Sequence, residues 1–92
     1  MKRRVARLQD FFGTPLSIVE VCRAEVEDQK AGELLLEKFA KLPQFQGDRI
    51  LLCVPHEGRE VMAFAPTTAA EQVALANIGS LRLGFQEAEL PF

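Results

Sequence analysis

The stretch that decides the fold runs from Leu16 to Val54 and reads LSIVEVCRAEVEDQKAGELLLEKFAKLPQFQGDRILLCV. Its first part, Leu16 to Val26, is rich in β-branched and apolar residues, which favours a strand. The middle part, Asp28 to Leu42, has apolar residues at helical spacing, and the last part, Arg49 to Val54, contains an unbroken apolar run of strand length. The stretch therefore predicts a strand, a helix and a second strand.

The predicted helix has recognisable ends and one apolar side. Asp28 is a suitable N-cap because its carboxylate can accept a hydrogen bond from the first turn. Leu35, Phe39 and Leu42 follow at i, i+4 and i+7, which places them on one side of a helix. Pro43 ends the helix, since the residue before a proline avoids the helical conformation. We expect the apolar side to pack against a sheet.

The second half of the chain continues with a hairpin, a short helix and a last strand. Residues 55–59 have the length and the glycine of a hairpin turn, which leads into a predicted strand at Glu60 to Ala65. A Thr-x-x-Glu capping box precedes a predicted short helix at Ala69 to Asn77. Apolar and polar residues then alternate from Leu81 to Gln86, which is typical of a strand that buries one face.

The order of these elements resembles the ferredoxin-like fold. The resemblance covers residues 16–87 and concerns architecture alone. It implies a βαββαβ sandwich, in which a four-stranded antiparallel sheet carries two helices on one face. We expect residues 16–92 to form this single α+β domain. Residues 1–15 are predicted to precede it as an N-terminal arm or short helix, because apolar residues recur there at helical spacing.

Composition is that of a small globular protein. The chain has 92 residues, of which 48% are hydrophobic and 26% charged, and this length suits one domain. No apolar stretch approaches the roughly 20 residues that span a bilayer, and the basic start is not followed by the apolar run of a secretory signal. The sequence therefore predicts a cytoplasmic protein with no membrane contact.

Charge is distributed unevenly along the chain. Lys2, Arg3, Arg4 and Arg7 supply four of the eleven basic residues, which leaves seven basic against thirteen acidic side chains, a balance of −6, from Leu8 onward. A basic tip of this kind could bind nucleic acid weakly. The acidic body lacks the electrostatic footprint of a nucleic-acid-binding domain, so this alternative is disfavoured.

The cysteine and histidine content argues against a metal site. Cys22 and Cys53 lie 31 positions apart, and the chain has a single histidine, so neither a C-x-x-C pair nor a four-ligand zinc set is present. Both cysteines fall in predicted strands, where we expect buried free thiols. No cofactor motif occurs, because the glycines are scattered singly and form no phosphate-binding loop.

The predicted sheet has apolar residues on both faces. In a ferredoxin-like sheet both helices cover the same face, so the second face needs another cover. The N-terminal segment could supply it, or a second copy of the chain could pack there across a two-fold axis. The homodimer is the preferred interpretation, and a protein partner is the other occupant that we consider. The predicted interface comprises Val19, Val21, Leu51 and Met62 or Phe64.

Two polar residues are candidates for a pocket. Glu20 shares a strand face with apolar residues, and His56 lies in the predicted turn. In this alternative a pocket between sheet and helices, lined by Phe39, Phe64 and Phe85, would bind a small molecule or support catalysis. No spacing singles out a catalytic pair.

The sequence thus favours a non-catalytic module that oligomerises or binds a partner through the open sheet face. Its alternatives are a dimeric ferredoxin-like domain that binds a small molecule or acts as an enzyme, and weak nucleic-acid binding through the N-terminus.

Overall fold

The computed structural model describes residues 1–9, 15–56, 59–64 and 84–92, and describes side chains within 1–7, 15–55 and 84–92. These residues form a small α+β structure with a mixed sheet and one α-helix. In chain order the elements are β1 (Lys2–Gln9), β2 (Pro15–Glu20), α1 (Gln29–Ala40), β3 (Arg49–His56), β4 (Arg59–Phe64) and β5 (Gln86–Glu89), with short 3₁₀ helices at Arg23–Val26 and Pro43–Phe45.

The sheet is mixed, with the strand order β4-β3-β2-β1-β5. Strands β2 and β3 are parallel neighbours, whereas the other three pairings are antiparallel. A strand, a crossover helix and a strand that returns beside the first must give a parallel pair. A ferredoxin-like sheet leaves room for another strand between these two, so the predicted four-stranded antiparallel sheet is wrong at this point.

The predicted helix from Asp28 is confirmed. Helix α1 begins at Gln29, and the Asp28 Oδ1 atom accepts a hydrogen bond from the Ala31 amide at 2.7 Å. Phe39 is fully buried, and Leu35 packs against the same core. The helix ends at Ala40, before Pro43 opens a 3₁₀ helix.

The N-terminal residues form a strand where a short helix or arm was predicted. Strand β1 pairs with β2 on one side and with β5 on the other. Its side chains alternate between two buried environments, since Val5 packs against one core cluster and Ala6 belongs to another. This alternation has the period of a strand, and it also avoids placing the cations of the tip at a helix N-terminus.

The other predicted elements have mixed outcomes. The antiparallel pairing of β3 with β4 is confirmed from Leu52 to His56, but the predicted turn at 55–59 is too long, because Pro55, His56 and Arg59 lie in the paired strands. The strand predicted from Leu16 ends at Glu20 and gives way to the 3₁₀ helix. Of the strand predicted from Leu81 to Gln86, residues 81–83 lie outside the described residues, and the structure has a strand at Gln86–Glu89. The predicted helix at Ala69 to Asn77 lies outside the described residues, so the described part of the chain confirms one of two predicted helices.

Each face of the sheet buries its own apolar cluster. The first cluster lies between the sheet and α1 and contains Val19, Val21, Phe39, Phe45, Ile50, Leu52, Val54 and Leu90. The second lies on the opposite face and contains Ala6, Leu16, Ile18, Leu51 and Cys53, with Phe85 packed against it. We call these sides the helix face and the second face.

Three of the predicted interface residues are buried within the single chain. Val19 and Val21 belong to the helix face, and their exposed fractions are 0% and 3%. Leu51 belongs to the second face and is also 0% exposed in the single chain. The interface itself stays a prediction. Met62 and Phe64 lie in β4 opposite Cys53 and Leu52, and their side chains lie outside the described set.

Candidate functional site

The candidate site lies at one end of the sheet, where β2 ends. Because β2 and β3 are parallel, their carboxyl ends meet at this edge, and the Val21 amide extends the pairing by donating to the Cys53 carbonyl at 2.8 Å. Strand β1 is antiparallel to β2, so its first residues reach the same edge. Strand β5 brings its own end there through the register of Lys2 with Glu89. Loops at the carboxyl ends of parallel strands are a usual location for binding sites.

A cleft of about 160 Å³ opens at this edge. Its lining comprises Met1, Lys2, Arg3, Arg4, Glu20, Val21, Cys22, Pro55 and Glu87. Strand alternation places Lys2 and Arg4 on the side of Ala6, and Glu20 on the side of Ile18, which is the second face. We call this site the polar cleft. The second face is not the one that the sequence predicted as the working surface, because the predicted interface residues Val19 and Val21 belong to the helix face.

Charged groups of both signs line the polar cleft. Arg4 Nη1 lies 3.2 Å from Glu20 Oε2, with the arginine side chain 52% exposed and the glutamate 21% exposed. The same guanidinium lies 5.0 Å from the centroid of the Phe85 ring, and Arg4 is in cross-strand register with Glu87. An exposed ion pair contributes about 0–1 kcal/mol to stability. The contribution of this ion pair to stability is thus too small to account for the arrangement of charges in the cleft.

Cys22 lies at the wall of the polar cleft and is exposed, in contrast to the buried thiol that was predicted. The reason is that β2 ends at Glu20, so Cys22 follows the strand and precedes the 3₁₀ helix. Cys53 is buried, as predicted, and neither cysteine forms a disulfide bond.

The neighbouring Arg3 points to the helix face. Its side chain is 5% exposed and forms a two-pronged ion pair with Glu25, at 3.0 Å from Nη1 to Oε1 and 2.6 Å from Nη2 to Oε2. Arg3 Nε also donates to the main-chain oxygen of Phe92 at 3.0 Å, and the guanidinium lies 5.4 Å from the Phe39 ring centroid. These contacts satisfy most of a buried charge that would otherwise be costly.

Glu25 joins this ion pair to the wall of the cleft. Its Oε1 atom accepts a hydrogen bond from the Cys22 amide at 2.9 Å and a second from Arg3. The hydrogen bond from Arg3 is the main cause that lowers the pKa of Glu25 from 4.5 to about 2, with partial burial acting in the opposite direction. The carboxylate therefore stays ionised across the physiological range.

Of the two predicted pocket residues, the structure places Glu20 in a cleft. The cleft lies at the end of the sheet, whereas the predicted pocket lay between sheet and helices, where Phe39 is instead fully buried in the core. His56 ends β3 opposite Arg59, and its side chain is outside the described set. No group of three or more His, Cys, Asp or Glu side chains suited to a metal ion occurs within the described ranges.

The sequence reasoning missed Lys2, Arg4 and Glu87 as site residues. The first two were assigned to a basic tip that could bind nucleic acid weakly. The alternation of Arg3 and Val5 with Arg4 and Ala6 could have indicated a strand, and hence two separate sides for the cations. Pairing of β1 with β5, which brings in Glu87, has no local sequence pattern.

Comparisons with known proteins do not add to these observations: no family model, curated protein or solved structure matches the chain significantly. No helix in the described part of the chain has the length and apolar character needed to cross a membrane. The function must therefore be argued from the cleft itself.

Proposed function

We propose that the protein is a non-catalytic binding module that recognises a protein partner through the polar cleft. The observation that carries this proposal is the exposed arrangement of Lys2, Arg4, Glu20 and Glu87 around one opening. Charges of both signs on a surface select a complementary partner and reject others, because a like charge placed opposite is repelled.

The size of the cleft favours a protein partner over a small molecule. Ligand pockets usually enclose about 300–1,000 Å³, and the polar cleft encloses about 160 Å³. This volume fits one polar side chain or one end group. A single inserted side chain can anchor an interface when the surrounding contacts exclude water. Exposed surface around the cleft would then supply the rest of the interface.

A charge reversal with a matched control tests the proposal. Arg4→Glu reverses a charge in the cleft, and Lys30→Glu makes the same change in net charge at an exposed position of α1. Native mass spectrometry on gently purified protein at low salt measures whether a partner is retained. We expect the wild type and Lys30→Glu to retain the same additional mass and Arg4→Glu to lose it, with circular dichroism confirming that all three are folded.

Two results would count against a partner at the cleft. If Arg4→Glu kept the additional mass, binding would occur elsewhere on the molecule. A bare chain mass in all three preparations would show that no partner survives under conditions that preserve charge-dependent contacts.

A further inference from the structure

A continuous chain of hydrogen bonds leads from the polar cleft to the segment that follows β5. We call residues Leu90–Phe92 the tail. The Cys22 amide donates to Glu25 Oε1 at 2.9 Å, and Arg3 Nη1 donates to the same oxygen at 3.0 Å. Arg3 Nε donates in turn to the main-chain oxygen of Phe92 at 3.0 Å. Three bonds thus connect the wall of the cleft with the tail on the other face of the sheet.

The tail is held in two different ways. Leu90 is 2% exposed, and its amide donates to the Met1 carbonyl at 2.8 Å, so it continues the sheet and the core. Pro91 is exposed and Phe92 is partly buried. The Phe92 ring stacks on Phe39 with the ring centroids 5.2 Å apart. Beyond the anchor at Leu90, Phe92 is held by this stacking and by its packing against the helix-face cluster. The Lys38 Nζ atom, 5.7 Å from the ring centroid, and the bond from Arg3 hold it further.

From this geometry we infer that occupancy of the polar cleft is coupled to the docking of the tail through Glu25 and Arg3. A group that enters the cleft displaces the main chain at Cys22 and so changes the acceptor geometry at Glu25. Arg3 shares that acceptor, and its guanidinium is planar and rigid, so a shift at Nη1 also moves Nε. The bond to Phe92 then lengthens or shortens. The structure shows the tail docked, and the coupling requires a second arrangement in which residues 91–92 are released.

This coupling rests on the proposed function for its natural trigger, but it can be tested without a partner. Iodoacetamide alkylates the exposed Cys22 thiol and adds a small neutral group at the wall of the polar cleft. Cys53 is 0% exposed, so it does not react under native conditions. Two-dimensional ¹⁵N–¹H NMR then reports the environment of the Phe92 amide, which lies beyond the anchor at Leu90. In the wild type we expect this amide to shift more than the amides of α1.

Two variants locate the path of the effect. Glu25→Ala removes the acceptor that the Cys22 amide and Arg3 share, and it should abolish the shift of the Phe92 amide upon alkylation. Glu27→Ala makes the same chemical change at an exposed position nearby and should leave the shift intact. Cys22→Ser, treated with the reagent, should show no shift and confirms the site of modification.

A Phe92 amide that does not shift in alkylated wild-type protein would overturn the coupling, whether or not Glu25→Ala folds. An equal shift in Glu25→Ala would also overturn it, because the effect would then bypass the hydrogen-bond chain. Neither result affects the native mass spectrometry experiment, in which Arg4→Glu tests whether a partner is bound at the polar cleft. A partner that binds at the cleft without moving the tail would therefore leave the proposed function standing while the coupling fails.

Discussion

Arg3 lies near the beginning of the described chain, and its side chain bonds with Glu25 and with Phe92 at the other end. A nearly buried guanidinium is costly unless its donors are used, and here Glu25 takes two of them and Phe92 a third. Lysine could not replace it, because an ammonium cannot reach a carboxylate with two parallel bonds and a carbonyl at the same time. The residue therefore ties β1, the first 3₁₀ helix and the tail to one another.

Glu25 should make the stability of the protein depend on pH in the acid range. Because the pKa of Glu25 in the folded protein, about 2, lies below its ordinary value of 4.5, the stabilisation is fully present above pH 4.5. It is lost as pH falls from about 4.5 to about 2, by at most roughly 3 kcal/mol. Urea unfolding at pH 7, 4 and 2.5 measures this loss. Glu25→Gln should be less stable at pH 7 and show a flatter dependence.

The pH control is Glu27→Gln, which removes an exposed carboxylate and should keep the wild-type profile. A Glu25→Gln protein whose stability falls as steeply as the wild type between pH 4.5 and 2.5 would show that other carboxyl groups carry the acid dependence.

The contacts of some single residues could be predicted from the sequence, whereas those of others could not. Asp28 was predicted as an N-cap because the interaction is local and lies within one turn. Arg3 could not be predicted as buried, since its partners Glu25 and Phe92 lie 22 and 89 positions away. Glu20 was predicted near a pocket from its face on the strand, but its partner Arg4 depends on the pairing of β1 with β2.

At the scale of elements, α1 depends on its N-cap. Asp28→Ala removes the acceptor of the Ala31 amide and should lower the free energy of unfolding by about 1 kcal/mol. Asp28→Asn keeps an acceptor oxygen and should lose only a fraction of this amount. Urea unfolding followed by circular dichroism at 222 nm measures both variants. Equal losses for Ala and Asn would show that charge near the helix dipole, and not the hydrogen bond, stabilises this end.

The turn into β3 depends on the conformation of one glycine. Gly47 has a φ of +84°, a region that side chains with a Cβ atom rarely adopt. A Cβ atom there would meet nothing within 4 Å, so the cost of Gly47→Ala should come from the backbone alone. We expect a loss of about 1 kcal/mol in the free energy of unfolding.

Gly84→Ala is the matched control for this turn, because Gly84 also has open space around it and no positive φ. It should be neutral or slightly stabilising in the same unfolding experiment. If Gly47→Ala were as stable as Gly84→Ala, the backbone at residue 47 would not require the left-handed conformation.

Elements were predictable where their sequence pattern was local. The hairpin of β3 and β4 was predicted from a turn of suitable length between two apolar runs, and α1 from its periodicity and caps. The strand β1 was not, because its residues also fit a helical spacing and only its two neighbours decide between the alternatives. In such a segment, pairing with neighbouring strands in the folded protein overrides the intrinsic secondary-structure propensity of the residues.

At the scale of the whole molecule, the sheet order places the two ends of the described chain side by side. Strand β1 lies between β2 and β5, so residues from the beginning and the end of the chain complete the sheet. This order was not predictable, since long-range pairing leaves no local pattern. It explains why the polar cleft takes Lys2 and Arg4 from one end and Glu87 from the other.

Homodimerisation remains a prediction, and the burial of Leu51 indicates how to test the predicted surface. In a dimer that packs through this residue, Leu51→Asp would give a folded monomer, because the new charge would face water. Leu51 is already 0% exposed in the single chain, so the charge would instead enter the core of the second face. We therefore expect Leu51→Asp to lower the free energy of unfolding by about 3 kcal/mol or more at every protein concentration.

Leu34→Asp is the control, because Leu34 on α1 is 51% exposed and its replacement should change stability little. Sedimentation equilibrium measures the mass of both variants, and urea unfolding at two concentrations a hundredfold apart measures their stability. If Leu51→Asp stays folded as a monomer while the wild type is a dimer, the dimer interface includes the middle of the second face. If the free energy of unfolding of Leu51→Asp is lowered equally at both protein concentrations, the dimer interface does not include Leu51. A surface already buried within one molecule has no apolar area left to bury against a second molecule.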